Sequence, residues 1–403
     1  MRSMLMDTIA FISVHGCPDA RLGSREAGGM NVYIRKVAIE LADRGFKVDI
    51  YTRKHSEIDS EIITLANNVR IIHITAGSHA LNKNEVYDHL ETFTQNIISF
   101  VNKQHLRYDL IQSHYWLSGS VGSILARIWK SPHFITFHTL AGIKVRARFG
   151  EEEPLVRFTS EKRIMKLVDR IVAFTEHEKQ AIANIYGIHL DKIDVIPCGV
   201  DIDLFKPIDK SVSRAKIGIS TEKIALYVGR IDPLKGLEIL LRAVALLDAG
   251  KDLSLIVVGG ELADDPEMMR LQSIVKELGI QEHVVFTGSV EQEQLPFYYN
   301  AADVCVVPSY YESFGLVALE SMACGTPVIA SRVGGLPSIV KNGHTGYLVQ
   351  WRCPEPFADR LEIVLNNHSI RTAMKKSARH LAMTMQWSEV TEHLVNSYKN
   401  ALG

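Results

Sequence analysis

Residues 304–330, VCVVPSYYESFGLVALESMACGTPVIA, place two short apolar runs on either side of a helix-like segment. The runs Val304–Val307 and Val328–Ala330 are typical of buried strands. Gly315–Ala323 between them contains no proline, and Gly325 follows it as a usual helix stop. A strand, a helix and a second strand in this order are typical of an α/β sheet with parallel strands.

The helix-like segment carries a carboxylate, Glu320, among leucine, valine, alanine and methionine. A helix that is apolar on nearly every side is normally buried, and burying an unpaired charge is very costly. Glu320 therefore either lies on a narrow stripe that faces solvent or faces a cleft and binds something polar.

The same alternation of short apolar runs and amphipathic segments extends over the whole chain. Further strands are predicted at Ile9–Val14, Val48–Tyr51, Val69–Ile74, Leu110–Gln112, Phe134–Phe137, Ile171–Phe174, Ile193–Ile196, Ile224–Val228, Leu255–Val258 and Val284–Phe286. Helices are predicted at Asn31–Arg44, Tyr87–Asn102, Ser118–Trp129, Glu176–Tyr186, Leu237–Leu247, Pro266–Leu278 and Phe357–Leu365. The pattern predicts an α/β protein with two doubly wound, Rossmann-like sheets.

The chain has 403 residues, which is long for one core and favours two domains. Periodicity is lost between Cys198 and Glu222, so we expect one domain over residues 1–200 and a second over 201–386. The final helix pattern, Trp387–Leu402, is expected to return to the first domain and complete it. Open α/β sheets bind ligands at the carboxyl ends of their strands, so the two sheets are expected to face each other across a deep cleft.

Composition excludes several classes of protein. The net charge of −1 gives no field that would attract nucleic acid or an acidic membrane. The five cysteines are odd in number and scattered, without a CxxC pair, which argues against a disulfide framework and a structural zinc site. No apolar run approaches the roughly 20 residues that span a bilayer, and the protein is expected to be cytoplasmic.

Two loops combine glycine or cations with a following helix. In REAGGMN, residues 25–31, Gly28 and Gly29 would let the backbone approach a ligand and Asn31 would cap the helix, although a plain left-handed turn explains the glycines equally well. In VGRIDPLKG, residues 228–236, Arg230 and Lys235 suit a diphosphate; the alternative is two solvated surface charges.

Two further features have competing interpretations. His138 ends a predicted strand at the ligand edge, where a lone histidine is as often structural as functional, and His114 ends the preceding strand in the same way. In the segment with Lys144 and Arg148, the cations are followed by three glutamates at 151–153. It is interpreted as a mobile charged loop in preference to a basic lip for an anionic acceptor or a membrane surface.

No motif indicates a protein nucleophile with its base, since GxSxG, HExxH and a Cys–His signature are all absent from the sequence. What is present fits chemistry that positions a diphosphate and stabilises its charge.

Taken together, these stretches closely resemble the retaining glycosyltransferases of family 4, which have the GT-B fold. The similarity extends over nearly the whole chain and is carried by AGGMNVY, QSHYWLSG, FHTLAGIK, IPCGVDIDLFKP, VGRIDPLKG, VPSYYESFGLVALESMACGTPVIAS and VGGLPSIVKNGHTGYLV. The order and placement of all seven stretches make the resemblance specific.

The resemblance implies a donor site for a nucleoside diphosphate sugar, with UDP-glucose or UDP-GlcNAc expected. Arg230 and Lys235 would grip the diphosphate, Glu312 the sugar hydroxyls and Glu320 the ribose hydroxyls. His138 would bind the transferred sugar and help to stabilise its developing positive charge. Other donor contacts are implied for the backbone at Gly29, Ser289, Val290, Phe314, Gly315, Leu316 and Val317.

The resemblance also implies a small, phosphorylated acceptor, an inositol phosphate or a sugar phosphate. In members that act on an inositol phosphate, a lysine, a tyrosine, a threonine and an arginine hold the phosphate. The matching positions here are Lys83, Tyr115, Thr139 and Arg157. Asn31, at the start of the first helix, is also expected to contact the acceptor. Glu26 stands where that group has aspartate, which leaves the identity of the acceptor open.

The sequence therefore predicts a retaining hexosyltransferase in which the leaving diphosphate takes the acceptor proton during front-face attack. This scheme uses no obligatory cofactor and does not require Mg²⁺. The alternative within the family is transfer to a lipid-linked acceptor at the membrane face. From other classes, a GT-B phosphorylase, a nucleotide-sugar epimerase and a non-catalytic nucleotide-sugar-binding protein remain as alternatives.

Overall fold

The computed structural model describes residues 6–19, 28–81, 85–247, 252–260, 265–350 and 353–402. These residues form two compact units. The first comprises Gly29–Pro197 with the preceding strand and the C-terminal segment from Val390, and the second comprises Cys198–Glu389.

The first unit contains eight strands in the order β3-β4-β2-β1-β5-β6-β7-β8. All neighbouring pairs are parallel except β3 and β4. The strands are β1 (Thr8–Ile12), β2 (Lys47–Arg53), β3 (Ile62–Ala66), β4 (Val69–Ile74), β5 (Leu110–His114), β6 (His133–Thr136), β7 (Arg170–Ala173) and β8 (Ile193–Val195). The helices between them are α1 (Gly29–Asp43), α2 (Leu90–Lys103), α3 (Tyr115–Trp129), α4 (Ala141–Ala147), α5 (Leu155–Leu167) and α6 (Glu176–Tyr186).

The second unit contains six parallel strands in the order β11-β10-β9-β12-β13-β14. The strands are β9 (Lys223–Val228), β10 (Leu253–Val258), β11 (Val284–Gly288), β12 (Val304–Val307), β13 (Val328–Ser331) and β14 (Gly346–Val349). The helices are α7 (Lys210–Ile217), α8 (Leu237–Ala245), α9 (Pro266–Glu277), α10 (Leu295–Ala301), α11 (Leu316–Ala323), α12 (Leu336–Ile339), α13 (Pro354–Asn366) and α14 (His368–Ala382).

The last helix, α15 (Trp387–Leu402), belongs to the first unit from Val390 onward. Tyr398 packs its ring edge-on against Phe134 of β6, with 4.9 Å between centroids, and its hydroxyl donates to Gln112 of β5 at 3.2 Å. Ser397 donates to Asp194 of β8 at 2.6 Å. The end of the chain is therefore fastened to the first sheet by both apolar and polar contacts.

The predicted class, two α/β domains built on parallel sheets, is confirmed. The strands of each sheet are continuous apolar runs because both faces of a parallel sheet are covered by helices. Elements at the edges were not predicted: β3 is half-exposed and antiparallel, and β14 begins at a glycine in a turn-rich segment.

The start of α6 contains a buried carboxylate that makes stability depend on pH. Thr175 accepts a hydrogen bond from the amide of Glu178, and Glu178 Oε2 in turn accepts one from the amide of Phe174 at 2.8 Å. Burial raises the pKa of Glu178 to about 7. A carboxyl whose folded pKa lies above its unfolded value stabilises the fold fully at low pH and loses that contribution as the pH rises through the folded pKa.

We expect Glu178→Gln to become more stable than wild type as the pH rises from 5 to 8, by up to about 3 kcal/mol at pH 8. The glutamine oxygen can still accept from Phe174, but no charge has to be buried. Urea unfolding at several pH values measures the difference, with Glu176→Gln, an exposed neighbour on the same turn, as the control. Parallel pH profiles for wild type and Glu178→Gln would contradict this assignment.

Candidate active site

The second sheet has its topological switch point where the candidate donor residues lie. Counted from β9, the strand order is 3-2-1-4-5-6, so the direction of winding reverses between β9 and β12. Open α/β sheets bind ligands in the crevice at such a point, beyond the carboxyl ends of the strands. The loop after β9 carries Arg230 and Lys235, and the loop after β12 carries Glu312.

Lys235 and Glu312 join these two loops by a direct ion pair. Lys235 Nζ lies 2.6 Å from Glu312 Oε2, and Ser309 Oγ lies 3.4 Å from the same oxygen. Both charged side chains remain partly accessible, with 24% and 18% of their surface exposed. A point cation beside a carboxylate can serve a ligand that carries both a phosphate and hydroxyl groups.

The loop VGRIDPLKG is shaped by its own residues. Asp232 accepts from the amide of Leu234 at 2.9 Å and so caps a short turn of 3-10 helix, Pro233–Lys235. Gly236 ends that turn at a φ of +68°, where a β-carbon would lie 2.2 Å from the carbonyl oxygen of Pro308. Glycine is therefore required where the β9 loop meets the β12 loop. Arg230 is half-exposed beside this turn, with Nη2 3.5 Å from Asp232.

The segment that carries Glu312 packs against a pair of glycines, Gly334 and Gly335. Gly335 donates its amide to the carbonyl of Glu312 at 2.9 Å, and a β-carbon on Gly334 would lie 1.8 Å from the same oxygen. Gly315 has a φ of +108° and ends the loop, so α11 begins at Leu316 with its first amides unused within the helix. Free amides at a helix start favour an anion.

Glu320 is buried on α11, with 7% of its surface exposed, and the interpretation of a solvent-facing stripe is wrong. Its Oε2 accepts a hydrogen bond from the hydroxyl of Tyr299 on α10 at 2.8 Å. Burial raises the pKa of Glu320 to about 7. The sequence gives no signal for the tyrosine partner, because Tyr299 lies in an unpredicted helix 21 residues earlier.

Ser289 and Val290 follow β11 directly. The amide of Ser289 donates to the carbonyl of Gly260 at 3.0 Å, and the amide of Gly259 donates to that of Gly288 at 2.8 Å. The ends of β10 and β11 are thereby fixed to each other, which gives the backbone at Ser289 a defined position at the edge of the sheet.

In the first unit, two neighbouring strands end in strained backbone. Tyr115 follows β5 with a φ of +76°, and His138 lies just beyond β6 with a φ of +60°. Left-handed backbone at residues other than glycine is uncommon and concentrates at functional sites. The two positions lie at the carboxyl edge of adjacent parallel strands, as predicted for His138.

His138 is buried beside His114, the last residue of β5. His114 Nδ1 lies 3.1 Å from His138 Nε2. Burial lowers the pKa of His138 to about 3 and that of His114 well below its usual value. Both imidazoles are therefore neutral at pH 7.

Tyr115, Thr139 and Arg157, three of the residues expected to bind the acceptor, lie together. Arg157 is buried, with 1% of its side chain exposed. Its guanidinium lies 4.8 Å from the centre of the Tyr115 ring and donates to the carbonyl and hydroxyl oxygens of Thr139 at 2.9 and 3.1 Å. It also contacts Glu153 and Glu161, each at 2.8 Å.

One expectation about the charged residues around this cluster needs correction. Arg157 and Glu161 form a buried ion pair, and Glu161 also accepts hydrogen bonds from the hydroxyl of Tyr186 and the amide of Ala141. Lys144 lies on α4, not in an irregular loop, and its Nζ contacts Glu153 at 2.5 Å and Glu151 at 3.2 Å.

At the start of the first unit, Asn31 is not the helix cap, because α1 already begins at Gly29. Asn31 is buried and donates to the carbonyl of Cys17 at 2.7 Å. Lys83 and Glu26, two positions expected on the acceptor side, lie outside the described residues.

Within the ranges that the structure describes, no group of three or more histidine, cysteine, aspartate or glutamate side chains could hold a metal ion. None of the helices in those ranges has the length and apolarity needed to cross a membrane.

Comparison with known proteins assigns both halves of the chain to glycosyltransferase families. Residues 27–204 match the model of Glycosyltransferase Family 4, and residues 209–381 match that of Glycosyl transferases group 1. The chain is 38% identical to the D-inositol 3-phosphate glycosyltransferase of Corynebacterium glutamicum, over 98% of this chain and 97% of that protein. It is 39% identical to the Corynebacterium diphtheriae enzyme of the same name, over 99% and 96%.

Solved structures agree with this assignment. The sucrose-phosphate synthase of Thermosynechococcus elongatus superposes with a TM-score of 0.91 at 34% identity, covering 98% of both chains. HepE from Anabaena, 20% identical and with a TM-score of 0.79, covers 98% of this chain and 99% of its own and shares the fold. The predicted GT-B class is confirmed, and the chain belongs to glycosyltransferase family 4 and is a sugar-transferring enzyme.

Proposed function

We propose that the enzyme transfers a hexose from UDP-glucose or UDP-GlcNAc to a small phosphorylated acceptor, an inositol phosphate or a sugar phosphate, with retention of configuration. The observation that carries the acceptor class is the cluster of the buried Tyr115 and Arg157 with the half-buried Thr139 at the carboxyl edge of the first sheet. The names of the similar enzymes, which contain inositol 3-phosphate and sucrose phosphate, support the same class. HepE was solved with UDP-glucose, which supports the donor.

In this proposal the second unit binds the donor. Lys235 and Arg230 neutralise the diphosphate, and the amides of Leu316 and Val317 add hydrogen bonds at the start of α11. Glu312, with the amides of Phe314 and Gly315, meets the sugar hydroxyls, and Glu320 meets the ribose. The backbone at Ser289 and Val290 reads the base.

Transfer is proposed to run by front-face attack. The bond between the anomeric carbon and the diphosphate oxygen breaks, the bond to the acceptor hydroxyl forms, and the departing diphosphate takes the acceptor proton. Lys235 and Arg230 stabilise the negative charge that develops on the diphosphate. His138 is neutral at pH 7, so it adds no positive charge beside the developing cation of the sugar.

The acceptor phosphate is proposed to meet Arg157, with Lys83 as a further cation. Because Arg157 and Lys144 already pair with Glu151, Glu153 and Glu161, the charges of both cations are neutralised without ligand. An incoming phosphate therefore has to take the place of a carboxylate, and Glu153, which precedes α5, is the carboxylate that both cations share.

Arg157→Ala is a poor test, because it would leave Glu161 buried without its cation and cost about 3–5 kcal/mol of stability. We instead expect Tyr115→Phe to raise the acceptor KM by about 10- to 100-fold, since a hydrogen bond to a charged group contributes about 1.5–3 kcal/mol. The phenylalanine ring can still stack on Arg157, so the rest of the cluster keeps its arrangement. The donor is proposed to bind the second unit, so the donor KM should not change.

Steady-state kinetics with each substrate varied measures this split. Tyr347→Phe in the second unit is the matched control, because Tyr347 also stacks with an arginine, Arg360, at 5.0 Å. An unchanged acceptor KM for Tyr115→Phe would remove Tyr115 from the acceptor site.

The proposed function as a whole is tested with a panel of nucleotide sugars and acceptors, with products identified by mass spectrometry and their anomeric configuration by NMR. We expect a product with the donor configuration from a UDP-hexose and a phosphorylated acceptor. Release of UDP without any glycosylated product, or transfer only to a lipid-linked acceptor, would overturn the proposal.

A further inference from the structure

The two buried histidines at the ends of β5 and β6 share a single hydrogen bond. His114 Nδ1 and His138 Nε2 are 3.1 Å apart, and the rings are tilted by 39° with 5.3 Å between their centres. Because burial keeps both imidazoles neutral, each ring carries one proton. One ring must therefore donate and the other accept, and this choice fixes the tautomer of both.

The surroundings of His114 decide the direction. Its other nitrogen, Nε2, is buried and meets no hydrogen-bond partner in the described part of the chain. The rings of Phe11 and Tyr33 pack against the His114 ring in T-shaped arrangements, with 5.0 and 5.8 Å between centroids. A proton on Nε2 would bury an N–H group with no acceptor, which is unfavourable. The proton of His114 is thus favoured on Nδ1, where it can be donated to His138.

We infer that His114 is a positioning residue that donates Nδ1–H to Nε2 of His138 and thereby holds His138 in its Nδ1–H tautomer. Nδ1 of His138 is then a hydrogen-bond donor and not an acceptor. A neutral donor suits a hydroxyl of the transferred sugar, which can accept from it without a charge being placed beside the reacting carbon. The catalytic consequence rests on the proposed role of His138, whereas the tautomer itself does not.

The tautomer is measured directly on the wild-type protein by ¹⁵N NMR of the histidine rings, with His138→Gln identifying the His138 signals. We expect a protonated Nδ1 and an unprotonated Nε2 on His138. An Nε2–H tautomer in the wild type would overturn the inference without any variant of His114.

Two variants of His114 test the coupling. Asparagine can place its amide nitrogen where Nδ1 lies and keep the donor, whereas leucine has similar bulk and removes it. We expect His114→Asn to retain the Nδ1–H tautomer of His138 and a kcat close to wild type. His114→Leu should shift His138 toward Nε2–H and lower kcat by about 10- to 100-fold, as for histidines that lose an orienting partner at metal sites. The donor KM should stay near wild type.

Each outcome separates the two claims. If His138 changes tautomer in His114→Leu but kcat does not fall, the positioning contact stands and the proposed role of His138 in transfer fails. If His138 keeps its tautomer in His114→Leu, or loses it in His114→Asn, the inference about His114 fails. Should His114→Leu not fold, the wild-type spectrum and His114→Asn still decide.

Discussion

Lys235→Ala is expected to weaken UDP binding by about 10- to 100-fold, because a charge-assisted hydrogen bond to the diphosphate contributes about 1.5–3 kcal/mol. The loss in kcat/KM should be larger than the loss in UDP affinity, since charge on the diphosphate increases as the sugar leaves. Lys235 lies at the switch point of the second sheet and is held there by Glu312 at 2.6 Å.

Calorimetry with UDP and steady-state kinetics measure the two losses. Arg242→Ala is the matched control, because Arg242 is a cation on the adjoining helix α8 whose partner is Glu238, at 2.9 Å. UDP affinity equal to wild type in Lys235→Ala would show that the lysine does not face the diphosphate and serves only its ion pair.

Glu312→Ala is expected to lower kcat by about 100-fold, which corresponds to about 2.7 kcal/mol of lost stabilisation, while UDP binding is maintained. UDP contains no transferred sugar, so the proposed ligand of Glu312 is absent from it. Glu312 Oε2 accepts a hydrogen bond from Lys235 Nζ in the structure. Removing the carboxylate therefore frees the lysine to bind phosphate. UDP binding should therefore stay equal or become slightly tighter.

Glu320→Gln provides the contrasting variant. Its side-chain oxygen can still accept from Tyr299, so the buried contact on α11 is kept. If Glu320 binds the ribose, this variant should weaken the binding of UDP itself by about 10- to 100-fold, the effect of one hydrogen bond to a charged group. Equal effects of Glu312→Ala and Glu320→Gln on UDP affinity would contradict the division of labour between the two glutamates.

The segments that could be predicted from the sequence are those that are buried through apolar side chains. The strand β12, the helix α11 and the strand β13 consist mostly of apolar residues, and their order alone indicated the parallel sheet. The family resemblance then pointed to the loops at the switch point, where Arg230, Lys235 and Glu312 lie.

Some of the elements that escaped prediction are buried through polar contacts. Helix α5 has no apolar stripe, because its inner face includes Arg157, Ser160 and Glu161, whose burial depends on ion pairs and hydrogen bonds. The partnership of His114 with His138 depends on the register of β5 and β6, which places Thr136 opposite His114. Neither the register nor a polar network leaves a periodic signal in one sequence.

The most direct test of the proposed function compares kcat/KM for a phosphorylated acceptor with that for the same molecule after removal of its phosphate, at saturating UDP-hexose. Since the proposed phosphate site contributes more than one charge-assisted contact, the phosphorylated acceptor should be favoured by at least about 100-fold. Nearly all of this preference should appear in the acceptor KM if Arg157 and its neighbours bind the phosphate in the ground state. Equal kcat/KM values for the two acceptors would contradict the proposal that this enzyme recognises its acceptor by phosphate.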